Sequence, residues 1–242
     1  MSRVIAWFSC GVTSAVATKL TLDRYKDAIP VYCDTGSEHQ DNKRFIKDCE
    51  QWFGKEILIL KSKKYTDIWD VFTKTKYLVG VNGARCTTEL KKLVRRDFEQ
   101  PDDLQIFGFD VAEKNRAERF NGNNPEVKTW FPLIEAGLNK TDCLSIVSGQ
   151  GIELPVMYKM GYRNNNCIGC VKGGAGYWNK IRKDFPDVFE KMAQTERALN
   201  AAINKKTSKE GKRERIFLDE LNPTSGKYED LEIVCGLFCG EI

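Results

Sequence analysis

The sequence holds a single histidine, His39, in 242 residues. That scarcity excludes a histidine-based catalytic triad and any metal site built from several imidazoles, and it leaves His39 itself best read as a loop imidazole. Long apolar runs are missing too. The first nine residues contain a stretch too short for a signal-peptide core, and no later segment approaches a membrane span; the expectation is a cytoplasmic protein with no membrane partner. Neither sign of charge is in large excess: 38 Lys and Arg against 34 Asp and Glu leave +4, too little to demand a nucleic-acid partner. Cysteine, by contrast, is plentiful. Nine cysteines without a secretory leader argue against a disulfide framework and turn spaced thiols into metal or catalytic candidates.

Strand-like and helix-like segments alternate through the first half. Val4–Phe8 is a short apolar run followed by a small-residue loop and a helical stretch from Ala15 to Leu22. Ala28–Cys33 reads as a second strand, Asn42–Phe53 as an amphipathic helix, Glu56–Leu60 as a third strand, Cys86–Phe98 as helix and Leu104–Phe109 as a fourth strand. That order predicts an α/β fold with a doubly wound parallel sheet. A single domain, 1–242, is expected, with a nucleotide-binding core over 1–130 and an irregular, cysteine-bearing C-terminal part over 131–242. In the latter, Lys140–Gln150 reads as helix, Trp178–Asn204 as a long helix interrupted near Pro186, and Lys205–Arg215 as a basic, solvated loop.

Three loops should meet at the carboxyl edge of such a sheet, where ligands sit. Ser9-x-Gly11-x-x-Ser14, between a strand and a helix, offers backbone N–H groups, hydroxyls and a positive helix end, the parts of a phosphate cradle. Asp34-Thr-Gly36 ends the second strand, although Asp34 is nearly as well explained as a turn or helix cap. Gly108-Phe-Asp110 ends the fourth strand, with Glu113, Arg116 and Arg119 behind it. Lys91, Lys92, Arg95 and Arg96 recur at helical spacing and could meet phosphates, but a solvated helical face is the commoner outcome.

Taken together, Phe8-Ser-Cys-Gly-Val-Thr-Ser14, Cys33-Asp-Thr-Gly36, Arg85-Cys-Thr87, Pro132-Leu133 and Gly161-Tyr-Arg163 before a cysteine pair resemble the sulfonucleotide (PAPS/APS) reductases over nearly the whole chain. The resemblance implies the PP-loop, adenine nucleotide α-hydrolase-like fold. It places the phosphates of ATP, APS or PAPS on Ser9, Cys10, Gly11, Thr13 and Ser14, with Asp34, Thr35, Gly36 and Gly108 beside them. The chain departs from the pyrophosphatase relatives' loop in having Cys10 for a glycine and Thr13 for an aspartate. Val234-Cys-Gly-Leu-Phe238 is similar to the reductases' C-terminal cysteine motif without its glutamate and histidine, which makes Cys235 the implied catalytic thiol.

Cys167-x-x-Cys170 is the sharpest chemical signal, two thiolates within reach of one soft metal or cluster iron. Cluster-bearing members of the family pair such a motif with a Cys-Cys about eighty residues earlier, and Cys86 stands at that distance with Thr87 in place of its partner. The resemblance thus implies a 4Fe-4S cluster on Cys86, Cys167 and Cys170, the fourth ligand being Cys235 or Cys239, a small sulfur ligand, or nothing protein-derived. A structural zinc on Cys167, Cys170, Cys235 and Cys239, or a redox dithiol, remain open. Cys33, Cys49 and Cys143 read as small core residues. The expected activity is sulfur or sulfonucleotide chemistry on an adenine nucleotide, with a thiol reductant or sulfur donor as partner. The alternatives are an ATP-pyrophosphatase that adenylates a target, a nucleic acid among them, before sulfur insertion, and a non-catalytic nucleotide- or zinc-binding protein.

Overall fold

The computed structural model describes residues 2–80, 83–207 and 211–228. In chain order its strands are β1 (Val4–Phe8), β2 (Ile29–Asp34), β3 (Leu58–Lys61), β4 (Val79–Gly80), β5 (Gly83–Ala84), β6 (Leu104–Phe107), β7 (Lys128–Trp130), β8 (Asn204–Thr207) and β9 (Arg213–Ile216). Helix α1 (Val12–Arg24) follows β1 and helix α2 (Asn42–Phe53) follows β2. Contacts cluster into two compact units that interleave along the chain. The first comprises 1–34, 38–61 and 94–165, and the second 35–37, 62–93 and the residues from 166 onward. Neither is a continuous stretch, and residue 130 lies inside the first.

The first unit is a five-stranded sheet in the order β3-β2-β1-β6-β7, every pair parallel. This is the expected α/β architecture. β1 and β2 are apolar at almost every position because a central strand in a parallel sheet is covered on both faces and has no solvent side to alternate toward. Helix α1 packs against α2, Pro132–Glu135 and Lys140–Gly149. The core between them holds Phe8, Val12, Ala15, Phe45, Phe53, Leu133 and Val147, with the rings of Phe8 and Phe45 stacked 6.1 Å apart. The fifth strand, β7, is only Lys-Thr-Trp, too short and polar to be read from sequence.

The second unit is mostly helical, with Ile68–Thr75, Ala175–Asp184 and Pro186–Leu199 around the fully buried Trp178. The long helix expected from Trp178 begins earlier, at Ala175, and breaks at Phe185 because the residue before a proline is driven out of helical geometry. It ends at Leu199, where Asn200 turns left-handed (φ 49°). Helix over Cys86–Phe98 is present but uneven: Arg85–Thr87, then a π-helical turn Thr88–Lys92, then Leu93–Phe98. The basic run expected as a loop is instead the antiparallel hairpin β8-β9. Its two feet are tied together by buried Glu196, whose carboxylate accepts the N–H groups of Ile203 and Leu218, each at 2.6 Å.

Candidate nucleotide-binding site

Strand order locates the site before any side chain is considered. From β1 the sheet advances through β2 to β3 on one side, and from β6 to β7 on the other. The point where the order reverses lies between β1 and β6, and in open parallel sheets ligands bind in the crevice outside the carboxyl ends of the strands at that point. Ser9–Ser14 follows β1 and Gly108 follows β6, so two of the three expected loops flank the reversal.

The loop between β1 and α1 is held open by its own hydroxyls. Ser14 Oγ accepts the Ser9 N–H at 3.0 Å, lies 3.1 Å from Ser9 Oγ and donates to the Gly11 carbonyl at 2.9 Å. Cys10 has a positive φ of 57°, a conformation that costs a non-glycine residue of order 1 kcal/mol and is retained where surrounding structure enforces it. Here the enforcement is visible: the Cys10 side chain is fully buried in the core, and its carbonyl accepts from Asn165 Nδ2 at 2.8 Å. Cys10 therefore offers the site its backbone and not its thiol. Gly11 is the residue before the first turn of α1, a helix with neither a side-chain cap nor an acid in that turn, which leaves its N-terminal field available to an anion. Thr13 lies in that same first turn. At Gly108 a Cβ would come 2.7 Å from Ser14 Cα and 2.8 Å from Ser14 N, so glycine is what allows β6 to run directly against the start of α1.

A residue that sequence reasoning did not single out completes the loop. The Tyr158 hydroxyl accepts from the Val12 N–H at 3.4 Å and lies 3.4 Å from the place a Cβ on Gly11 would take. Burial pushes its pKa up to about 12, so it is a neutral phenol that can donate to a phosphate oxygen. The segment carrying it is clamped. Arg44 bonds both oxygens of Asp41, the Asp48 carboxylate and the Glu153 carbonyl, and Asp41 in turn accepts the Val156 N–H at 2.9 Å. Lys140 Nζ lies 5.7 Å from the centre of the Tyr158 ring and bonds the Arg163 carbonyl and Asn164 Oδ1.

In the second unit Thr35 and Cys167 meet: Thr35 Oγ1 is 3.1 Å from Cys167 Sγ. The Ile168 N–H bonds the Ser37 carbonyl, and Gly36 (φ 66°) presses so closely on Thr66 that a Cβ would fall 2.2 Å from its carbonyl oxygen. The Asp-Thr-Gly turn and the Cys-x-x-Cys turn are thereby stapled together. Cys167 and Cys170 are both buried. Their turn is shaped around the Tyr177 hydroxyl, which accepts from the Gly169 and Cys170 N–H groups, each at 3.0 Å, and donates to the Cys167 carbonyl. Among the described residues no three of His, Cys, Asp and Glu come together as a metal site, so half-buried Cys86 is not grouped with the pair. Cys235 and Cys239 lie outside the described residues.

Other expectations resolve individually. Asp34, at the end of β2, forms an ion pair with Lys61 at 2.9 Å. Asp110 caps the short turn Val111–Glu113 through the Ala112 N–H. His39 accepts the Asp41 N–H on Nδ1, a turn role. Cys33, Cys49 and Cys143 are buried, and burial pushes the Cys143 thiol up to about 12 and Cys49 higher still, as inert core thiols require. Lys91 and Arg95 depart from the solvated face expected of them: both are buried, Arg95 against Glu99 at 2.7 Å.

No family model matches the chain. The chain is similar to two uncharacterized proteins of Methanocaldococcus jannaschii, at 25% identity over 78% of this chain and 40% of the relative, and at 23% identity over 76% and 45%. It thus spans less than half the length of the curated relatives it matches. Among solved structures it shares a fold with a phosphoadenylyl-sulfate (PAPS) reductase from Candida auris, crystallised as a phosphate complex, with TM-score 0.51, 10% identity, and coverage of 69% of this chain and 82% of that one.

Proposed function

We propose that the chain is a PAPS-reductase-like enzyme that holds the phosphates of an adenine nucleotide on Ser9–Ser14 and performs sulfur or sulfonucleotide chemistry with its cysteines. The observation that carries this reading is the uncapped start of α1 at the reversal of strand order, with Gly11 carrying no side chain there and Gly108 letting β6 run directly against the helix start. Loop N–H groups and the helix field balance phosphate charge; the Tyr158 phenol adds a neutral donor, and Ser9 and Ser14 can turn their hydroxyls from each other to the ligand. Thr35 supports the sulfur half of the reading. It follows directly from Asp34 at the end of β2, and its hydroxyl is in contact with Cys167.

A 4Fe-4S cluster would take Cys167 and Cys170. Among the described residues no third His, Cys, Asp or Glu joins these two thiols; the further cluster ligands would be Cys239, which lies outside the described residues, or a small sulfur ligand, whereas a zinc ion would take both Cys235 and Cys239. Bound there, a cluster would supply soft iron for sulfur ligation beside Thr35. In the reductase reading Cys235 stays off the metal: its thiolate attacks the sulfonucleotide sulfur and displaces the nucleotide's phosphate, and a thiol reductant then frees sulfite by forming a disulfide with Cys235.

The test is to incubate anaerobically prepared protein with PAPS, APS and ATP in turn, with dithiothreitol, and to follow sulfite, pyrophosphate and AMP, with iron and zinc measured on the same sample. Sulfite release from PAPS or APS is the expected result. Pyrophosphate and AMP from ATP without sulfite would replace this reading with the adenylating one. Nucleotide binding with no turnover of any of the three would leave a binding protein.

A further inference from the structure

We propose that the β8-β9 hairpin is a nucleic-acid-binding ribbon that docks on the phosphate backbone of a duplex through Lys205, Arg213 and Arg215. The first ground is where the charge lies. Residues 205–215 contain six basic and two acidic side chains, so this one segment carries the whole net +4 of the chain and all other residues balance. A net charge that looks too small to matter when averaged over 242 residues is concentrated, in sequence, in one short segment.

The second ground is the strand register. Lys205 pairs with Arg215, Lys206 with Glu214 and Thr207 with Arg213. Side chains alternate between the two faces of a strand, so Lys205, Arg213 and Arg215 share one face while Lys206 and Glu214 share the other, 4.0 Å apart as an ion pair. Like charges directly opposite on one face are destabilising. Here they are kept, exposed, on a face that carries no acid among the described residues. Arg215 is held at the base by the carbonyls of Ala202 and Ile203, and Glu196 locks both feet of the ribbon. The cations are thus displayed on a rigid support, which lowers the ordering cost of binding.

A two-stranded ribbon fits the major groove of duplex DNA, and guanidinium groups suit phosphate oxygens. A membrane surface fits less well, because interfacial binding needs apolar side chains to bury beside the basic ones, and Lys205, Arg213 and Arg215 offer none. The inference is independent of the nucleotide site: it concerns a macromolecule and a different element.

Fluorescence anisotropy with a labelled duplex DNA, titrated at several salt concentrations, tests it. The wild-type chain should bind, with affinity falling steeply as salt rises. Lys205→Gln combined with Arg213→Gln should weaken binding by roughly tenfold or more and reduce the salt slope by about 2, since each lost phosphate contact removes about 0.9. Lys206→Gln, on the other face, should change neither. All three side chains are exposed, and an unchanged melting temperature confirms that each variant folds. Equal affinity and slope for the double variant, an equal loss from Lys206→Gln, tighter binding of a single strand, or binding to phosphatidylserine vesicles in place of the duplex would each overturn the proposal.

Discussion

Gly11→Asp separates the anion-site assignment from the stability of the fold. Gly11 has φ −100° and ψ 157°, extended backbone that any residue adopts. An added Cβ would meet the Tyr158 hydroxyl at 3.4 Å and the Ser9 and Ser14 hydroxyls at 3.8 and 4.0 Å, contacts that a carboxylate can turn into hydrogen bonds. The position precedes an uncapped helix, where aspartate is favoured over glycine by a few tenths of a kcal/mol. A negative charge there gains about 0.3–1 kcal/mol from the helix field. The variant should therefore be slightly more stable, with its melting temperature raised by about 1–4 °C. The carboxylate stands where a phosphate would bind. Two such charges about 5 Å apart at an effective dielectric of 20 repel by about 3 kcal/mol, a loss of roughly 100-fold in affinity. Calorimetric titration with ATP, AMP and PAPS reads this directly, and Gly11→Ala, which adds bulk without charge, should lose far less. A folded Gly11→Asp protein whose affinity stays within about threefold of wild type would remove the phosphates from this loop.

Gly108→Ala should lower stability by about 2 kcal/mol or more and weaken nucleotide binding together with it, because its methyl would lie 2.7 Å from Ser14 Cα; urea denaturation and titration would show both, and an unchanged protein would refute the close approach. Tyr158→Phe should leave the fold intact and weaken nucleotide binding by about 0.5–1.5 kcal/mol, the worth of one hydrogen bond, measured by the same titration. Tyr177→Phe strands the Gly169 and Cys170 N–H groups, an expected loss of about 2–4 kcal/mol, seen as faster amide exchange over 167–170. The Arg44 guanidinium holds the Asp41 carboxyl below its ordinary value. This contribution is present in full above the unfolded carboxylate pKa of about 4 and fades as pH falls through the lower folded value. The stability gap between wild type and Asp41→Asn should accordingly be largest at neutral pH and close in strong acid; a gap that did not narrow would contradict the assignment.

What the sequence discloses is local, and what it hides depends on partners far along the chain. β1 and β2 are legible because buried parallel strands are written as unbroken apolar runs, and the small residues of Ser9–Ser14 stand out between a strand and a helix. Tyr158 and Asn165 are not legible as loop residues, since their partners are 146 and 155 positions away; the Asn164-Asn165-Asn166 run was the available signal. The hairpin β8-β9 reads as loop because lysine and glutamate have poor strand propensity, while the feature that makes it a hairpin is a carboxylate on another element, Glu196. Burial of Lys91 and Arg95 is hidden for a related reason: charged residues at helical spacing look the same whether they face solvent or are enclosed.

The bond from Asn165 to the Cys10 carbonyl also fixes a time order. During synthesis the left-handed turn at Cys10 is made early, but the side chain that holds it follows 155 residues later, roughly 10–30 s at ribosomal rates. Tyr158 and the Asp41–Arg44 clamp partner Val156 arrive in the same late stretch. Until then the strained turn lacks the Asn165 hydrogen bond, and the wide span makes closure slow by contact order. The Ser9–Ser14 loop, encoded almost first, is therefore among the last parts of its unit to reach its final form, and a nascent chain stalled before Asn165 would carry the motif without the bond that holds it.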